Sequence, residues 1–323
     1  MKHTITVEER DGISRRVYPC TVSLGFPQGA LRRSDPVRLT GVDGEELPVQ
    51  VDPVGEWDDG SVCKADVTFC PTIGACETQR FELACGGTPP EATVRNPLTV
   101  RVGRDAAEVV QGPVGYTVRV NGFNLVDRVV FGDKSFLKSG ARGLALLRND
   151  GETCVPEGEV NLSTGPHGPW WGRVLAEGHL EGGYGFTCRL DFVSGKSWYL
   201  VDVQLSSGDL SQVQAIIFEQ VFDLPEAPLS TAFGSRTTAE GVPTNWSVTT
   251  DGAHTVDVAA LDAWVGADSV RHEVDPKGEF RLIFPYTEGR ACRAYYHYLG
   301  CPPDDTRNTS AAAMAAPLAC TSD

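Results

Sequence analysis

Tyr184-Gly185-Phe186-Thr187-Cys188-Arg189-Leu190-Asp191-Phe192 alternates without a break between an apolar set (Tyr184, Phe186, Cys188, Leu190, Phe192) and a small or polar set (Gly185, Thr187, Arg189, Asp191). A period of two puts these sets on opposite faces of a β-strand. Upstream, Arg173 to Glu181 carries Val174, Ala176 and Leu180 on one side, with Arg173, Glu177, His179 and Glu181 mostly on the other. Downstream, Trp198 to Leu205 groups Tyr199, Val201, Val203 and Leu205. The connectors Gly182-Gly183, Ser194-Gly195-Lys196-Ser197 and Ser206-Ser207-Gly208-Asp209 are short and rich in turn formers. Trp170 to Leu224 therefore reads as four successive strands, an antiparallel meander whose apolar face must be buried against a second sheet.

Composition sets the outer limits. With 323 residues the chain can fill one or two sizeable cores, two being expected, and 35 Gly and 21 Pro suit a turn-rich β protein. A net charge of −15 argues against a nucleic-acid partner and equally disfavours docking on an anionic membrane. Neither a secretory signal of the usual kind at Met1 to Arg10 nor a membrane-length apolar run is found, so a soluble, cytoplasmic protein is expected. Self-association into a homo-oligomer stays open. The ten cysteines are scattered, several at inward strand positions, which favours buried free thiols over disulfides or zinc.

The order of elements predicts an all-β chain in two parts. Residues 1–88 read as a small β-barrel of six short strands, closed by the linker Gly86-Gly87-Thr88-Pro89-Pro90. Residues 91–323 read as an antiparallel β-sandwich with an irregular C-terminal tail. Within it, Pro225 to Asn245 is expected to be a loop and Ala259 to Val265 a helix, while Ser310 to Ala316 is expected to be either a short helix or unstructured.

Three motifs in the first part carry a resemblance. Gly25-Phe26-Pro27-Gln28-Gly29-Ala30-Leu31 is followed by Leu47-Pro48-Val49-Gln50-Val51 and then by Trp57, Asp59, Gly60, Ser61 and Val62. In order and spacing these resemble the N-terminal barrel of the exo-rhamnogalacturonan lyase family. Gly168-Pro169, Gly172-Arg173-Val174 and the later Phe192, Gly195, Ser197 and Trp198 are similar to the β-sandwich that follows that barrel. The resemblance implies a carbohydrate-active scaffold. It also implies a long helical toroid holding the catalytic cleft, for which this sequence has no counterpart, so no catalytic residue carries over.

Candidate chemistry must come from the residues themselves. Arg293, Tyr295 and His297 share one face of a strand whose other face holds Cys292, Ala294, Tyr296 and Tyr298. Arg can neutralise a carboxylate while His or Tyr moves a proton, the set that a β-elimination on an acidic sugar needs. The same pattern also fits an amphipathic strand whose His and Tyr are satisfied in or near the core. His167, Trp170, Trp171 and Trp198, with Arg290, are candidate substrate contacts, because indole faces stack on sugar rings; tryptophans sealing a sandwich edge would look the same. Trp57, Trp246 and Trp264 are expected in the core or at an interface. His179 between Glu177 and Glu181 is the one candidate for a metal, although an exposed acidic strand face explains it as well. No nucleophile elbow, phosphate loop, dinucleotide fingerprint or His-Glu-x-x-His occurs, so no cofactor and no metal are expected. Three functions fit: a lyase-like enzyme on an acidic or deoxy sugar, a non-catalytic glycan-binding or assembly module, and a small-molecule lyase or isomerase.

Overall fold

The structure, a computed structural model, describes residues 1–224, 229–237, 243–250, 254–261, 269–275, 277–299 and 318–322. Among these, every regular element is a strand except a 3₁₀ turn at Leu210–Gln212. The all-β class read from the alternation and the dense turn signals is what is observed. The chain divides into two compact units: Met1–Pro97 with Pro166–Trp171 and Ala316–Asp323, and Leu98–Gly165 with Gly172–Ala315.

In the first unit a five-stranded sheet runs in the order Ala319–Ser322, Lys2–Glu8, Thr78–Cys85, Val37–Gly41, Glu46–Leu47. A three-stranded sheet of Cys20–Gly25, Val62–Phe69 and Val49–Glu56 completes it. Ile5, Val7, Leu24, Leu39, Val67, Phe69 and Leu83 alternate inward from both sheets into one core. The three sequence motifs are tied to each other there. The Trp57 indole donates to the Phe26 carbonyl at 2.9 Å, and the Gly29 amide donates to Ser61 Oγ at 2.8 Å. Trp57 itself is 43% exposed, not a core residue. Part of the tail read as irregular is the strand Ala319–Ser322, which pairs antiparallel with Lys2–Glu8.

The second unit holds three sheets around one core. A meander of Thr99–Val102, Ala106–Gln111, Val114–Arg119, Arg128–Phe131 and Lys134–Ser135 forms the first. The second runs Thr153–Cys154, Gly143–Arg148, Val213–Val221, Glu279–Pro285, Arg271–Val274. The third has eight strands in the order Pro156–His167, Trp171–Leu180, Tyr184–Val193, Trp198–Leu205, Cys292–Leu299, Thr255–Leu261, Pro243–Thr250, Ser230–Thr237. The predicted meander is thus present through its third strand; the fourth, Val213–Val221, crosses into the opposite sheet. Tyr184, Phe186, Cys188, Leu190 and Phe192 are all buried in the shared core, as their period requires.

Two expectations are corrected. The Pro225 to Asn245 loop instead holds the strand Ser230–Thr237 and the start of Pro243–Thr250, which pair with each other. Pro243 opens its strand, a position that needs no ladder N–H. The helix expected from Ala259 is instead the end of strand Thr255–Leu261, where Ala259 and Ala260 are fully buried between neighbouring strands. Packing has overridden the weak strand preference of alanine. Residues 262–265, Trp264 among them, and the Ser310 to Ala316 segment lie outside the described residues. The nine described cysteines are free thiols, five of them buried.

Candidate functional site

Strand Cys292–Leu299 sits between Trp198–Leu205 and Thr255–Leu261, in the middle of the eight-stranded sheet. Cys292, Ala294, Tyr296 and Tyr298 point into the core, so Arg293, Tyr295 and His297 share the outer face, as the alternation predicts. Strand register fixes what flanks each of them. Arg293 lies between Asp202 and Leu261, Tyr295 between Leu200 and Ala259, and His297 between Trp198 and Asp257. His297 Nδ1 is 3.8 Å from Asp257 Oδ2, and both side chains are largely covered, 11% and 1% exposed. At that separation the two groups are neighbours beyond hydrogen-bond distance. The Trp198 ring stands edge-on to Tyr295 with centroids 5.2 Å apart.

An ion-pair ladder leads to this row across three neighbouring strands. Arg173 grips Asp191 with both Nε (2.6 Å) and a terminal nitrogen (2.9 Å). Arg189 reaches Asp202 at 2.6 Å, and Arg293 Nε reaches the same Asp202 oxygen at 2.7 Å. Burial pushes the Asp191 carboxyl up, while the Arg173 guanidinium pulls it back. Three guanidiniums share two carboxylates, so the ladder carries a net positive charge, and Arg293 stands at its exposed end with 43% of its side chain in water.

A cavity of about 310 Å³ opens at that end, lined by Thr287, Arg290, Cys292 and Arg293 with Phe284 and Pro285. Arg290 and Arg293 give it two cationic groups, which suits an anionic ligand. Cys292 is no nucleophile there: burial, and then Asp202, push its thiol far above the ordinary range.

His167, Trp170 and Trp171 belong to the first unit. Trp170 is only 8% exposed, and its indole N–H donates to the Pro48 carbonyl at 2.6 Å. The Trp170 and Trp171 amides both donate to Gln50 Oε1, at 3.2 and 3.0 Å. Trp170 is thus a packed residue and not an open stacking platform, and Trp198, 5% exposed, is likewise largely covered. Trp171 is half-buried and His167 exposed. His179 is exposed, and among the described residues no group of three His, Cys, Asp or Glu could hold a metal ion. Asp257 is the residue that sequence reasoning missed. Its signal was the alternation of Val256, Val258 and Ala260, hidden by the expectation of a helix beginning at Ala259.

Comparison with known proteins agrees with the fold. Residues 9–65 match the family model described as the PcRGLX-like N-terminal RIFT barrel domain, the region on which the resemblance to exo-rhamnogalacturonan lyases rests. No curated protein matches the chain. Among solved structures, the chain is similar to a protein in the glycosyl hydrolase family 38 from Enterococcus faecalis (TM-score 0.64, 9% identity), covering 100% of this chain and 47% of that one. It is also similar to an alpha-mannosidase from Enterococcus faecalis V583 (TM-score 0.58, 8% identity), covering 100% and 46%. The chain spans less than half the length of either protein, and at these identities the likeness is one of fold.

Proposed function

We propose that this chain is a carbohydrate-active protein of the lyase type, acting on an acidic sugar at the outer face of its eight-stranded sheet. The observation that carries the reading is the His297–Asp257 pair set in one row with Tyr295 and Arg293. The barrel match at residues 9–65 and the hydrolase-like fold support the carbohydrate class. Arg293, about 13 Å along the strand from His297, would with Arg290 hold a neighbouring acidic unit of the substrate. His297 takes the proton on the carbon next to the carboxylate, and Asp257 holds the resulting imidazolium. The C–H electron pair becomes the new double bond, the C–O bond at the β position breaks, and the Tyr295 hydroxyl protonates the leaving oxygen.

A non-catalytic glycan-binding module is the second reading. It is favoured by one observation: Arg293 is engaged by Asp202, as a structural ladder would require. A panel of uronate-containing oligosaccharides, followed by ultraviolet absorbance of the unsaturated product, separates the two. For the lyase, His297→Gln should lower turnover ~10²–10⁴-fold. Tyr295→Phe should lower it as well while leaving the melting midpoint unchanged. Full activity in both variants would sink the proton-transfer site, and binding without any turnover by the parent chain would leave the module.

A further inference from the structure

Three cysteines converge in the first unit. Cys20 opens the strand Cys20–Gly25 and is 4% exposed; Cys70 follows directly on Phe69, the cross-strand partner of Cys20, and is 6% exposed. Cys320 lies on Ala319–Ser322, is half-buried, and packs against the same core. The strands Cys20–Gly25 and Ala319–Ser322 pack against each other, which makes Cys20 and Cys320 neighbours, with Cys70 the next sulfur. Cys20 and Cys320 stand on different sheets of the unit. Only four cross-strand pairs, from Ile5 with Ser322 to Glu8 with Ala319, hold the Ala319–Ser322 strand in its sheet.

We propose that Cys20 and Cys320 are a disulfide-forming pair: a peroxide closes them into a covalent clasp that fixes the Ala319–Ser322 strand across the two sheets. Cys320 reacts first because it is the more accessible of the two. Its sulfur attacks the peroxide O–O bond, giving a sulfenic acid and one water. Cys20 sulfur then displaces the hydroxyl from Cys320 sulfur. The S–S bond forms, the S–O bond breaks, and the Cys20 proton leaves with the hydroxyl as a second water. Two thiols are oxidised and one peroxide is reduced. A thiol reductant reverses the change. Burial and the neighbouring thiol push the Cys20 thiol well up, so Cys20 is a poor first nucleophile and serves as the resolving partner.

The test treats the full chain with one equivalent of hydrogen peroxide, then counts thiols in denaturant and maps disulfide-linked peptides. Two thiols should be lost per chain, a single Cys20–Cys320 peptide should appear, and reductant should restore both thiols. The urea midpoint of the oxidised protein should rise above that of the reduced protein. Cys320→Ser, a half-buried and nearly isosteric change, should abolish the linked peptide and the midpoint shift. Cys70→Ser should leave both in place. A Cys20–Cys70 peptide, the absence of any linked peptide, or an unchanged thiol loss in Cys320→Ser would each overturn the assignment.

Discussion

Lowering the pH from 7 to 5 should weaken the second unit through one histidine. His272 lies inside this unit, with Nδ1 2.9 Å from Ser247 Oγ and Nε2 2.7 Å from Asn245 Oδ1. The Phe280 ring packs edge-on against it at 6.0 Å. An amide oxygen can only accept, so Nε2 carries the hydrogen and Nδ1 accepts from the Ser247 hydroxyl. The neutral ring is thus fully satisfied, and no carboxylate appears among these contacts to favour the charged form. Burial lowers its pKa to about 3, against ~6.5 in the unfolded chain. The folded state therefore takes up almost no proton between pH 7 and 5, while the unfolded state takes up about 0.7 of one. The stability from the buried neutral ring is present above the unfolded value and is lost as pH falls toward the folded one. Over these two pH units the loss integrates to about 2 kcal/mol. Urea unfolding of the parent and of His272→Gln at both pH values isolates it, because Gln keeps a donor and an acceptor but does not titrate. The variant should be the weaker protein at pH 7, yet should lose about 2 kcal/mol less on acidification. Equal pH dependence in the two proteins would refute the buried neutral histidine.

Two further perturbations follow from the same unit. Burial alone would raise the Glu219 carboxyl, but the Arg142 guanidinium and backbone amide, with Arg281, outweigh it and hold the group at about 2; Glu219→Gln should cost roughly 1.5–3 kcal/mol at pH 7. Since a depressed carboxyl stabilises in full above its unfolded pKa of ~4.5 and loses that stabilisation as pH falls through its folded value, the cost should shrink as pH falls toward 2, measured by denaturation at each pH. Gly143 has φ +70°, and a Cβ there would sit 2.1 Å from the Asn124 carbonyl carbon; Gly143→Ala should destabilise by roughly 2–6 kcal/mol, seen as a lowered melting midpoint.

How far the sequence could be read depended on whether one face of a segment is buried. Tyr184 to Phe192 and Trp198 to Leu205 place apolar and polar residues on opposite faces, and both strands appear where the alternation puts them. Strands buried on both faces lose that contrast. Thr255–Leu261 has nearly every residue buried, including Asp257, so its burial pattern shows little period. Alanine-rich Ala259-Ala260 then mimicked a helix start. The row of Arg293, Tyr295 and His297 was legible because three alternate residues of one strand must share a face. Its partners were not. Asp202 and Asp257 reach it from strands about 90 and 40 residues away, and pairing over such separations is set by register, which no local pattern encodes. Trp170 misled for a related reason: the sequence shows an indole beside a turn, but not the Pro48 carbonyl that engages it.

The strand order of the first unit also constrains how the chain can be made. Lys2–Glu8 is paired on one side by Thr78–Cys85 and on the other by Ala319–Ser322. During synthesis the first partner emerges early, and the second only after more than two hundred further residues have been added. At ordinary ribosomal speed that interval is on the order of ten to fifty seconds. Throughout it, one side of Lys2–Glu8 presents unpaired amides and carbonyls, the kind of template on which chains stick to one another. The second unit must therefore be translated in full while the first still has an open flank, which makes the nascent chain more dependent on chaperones than its finished sheets suggest.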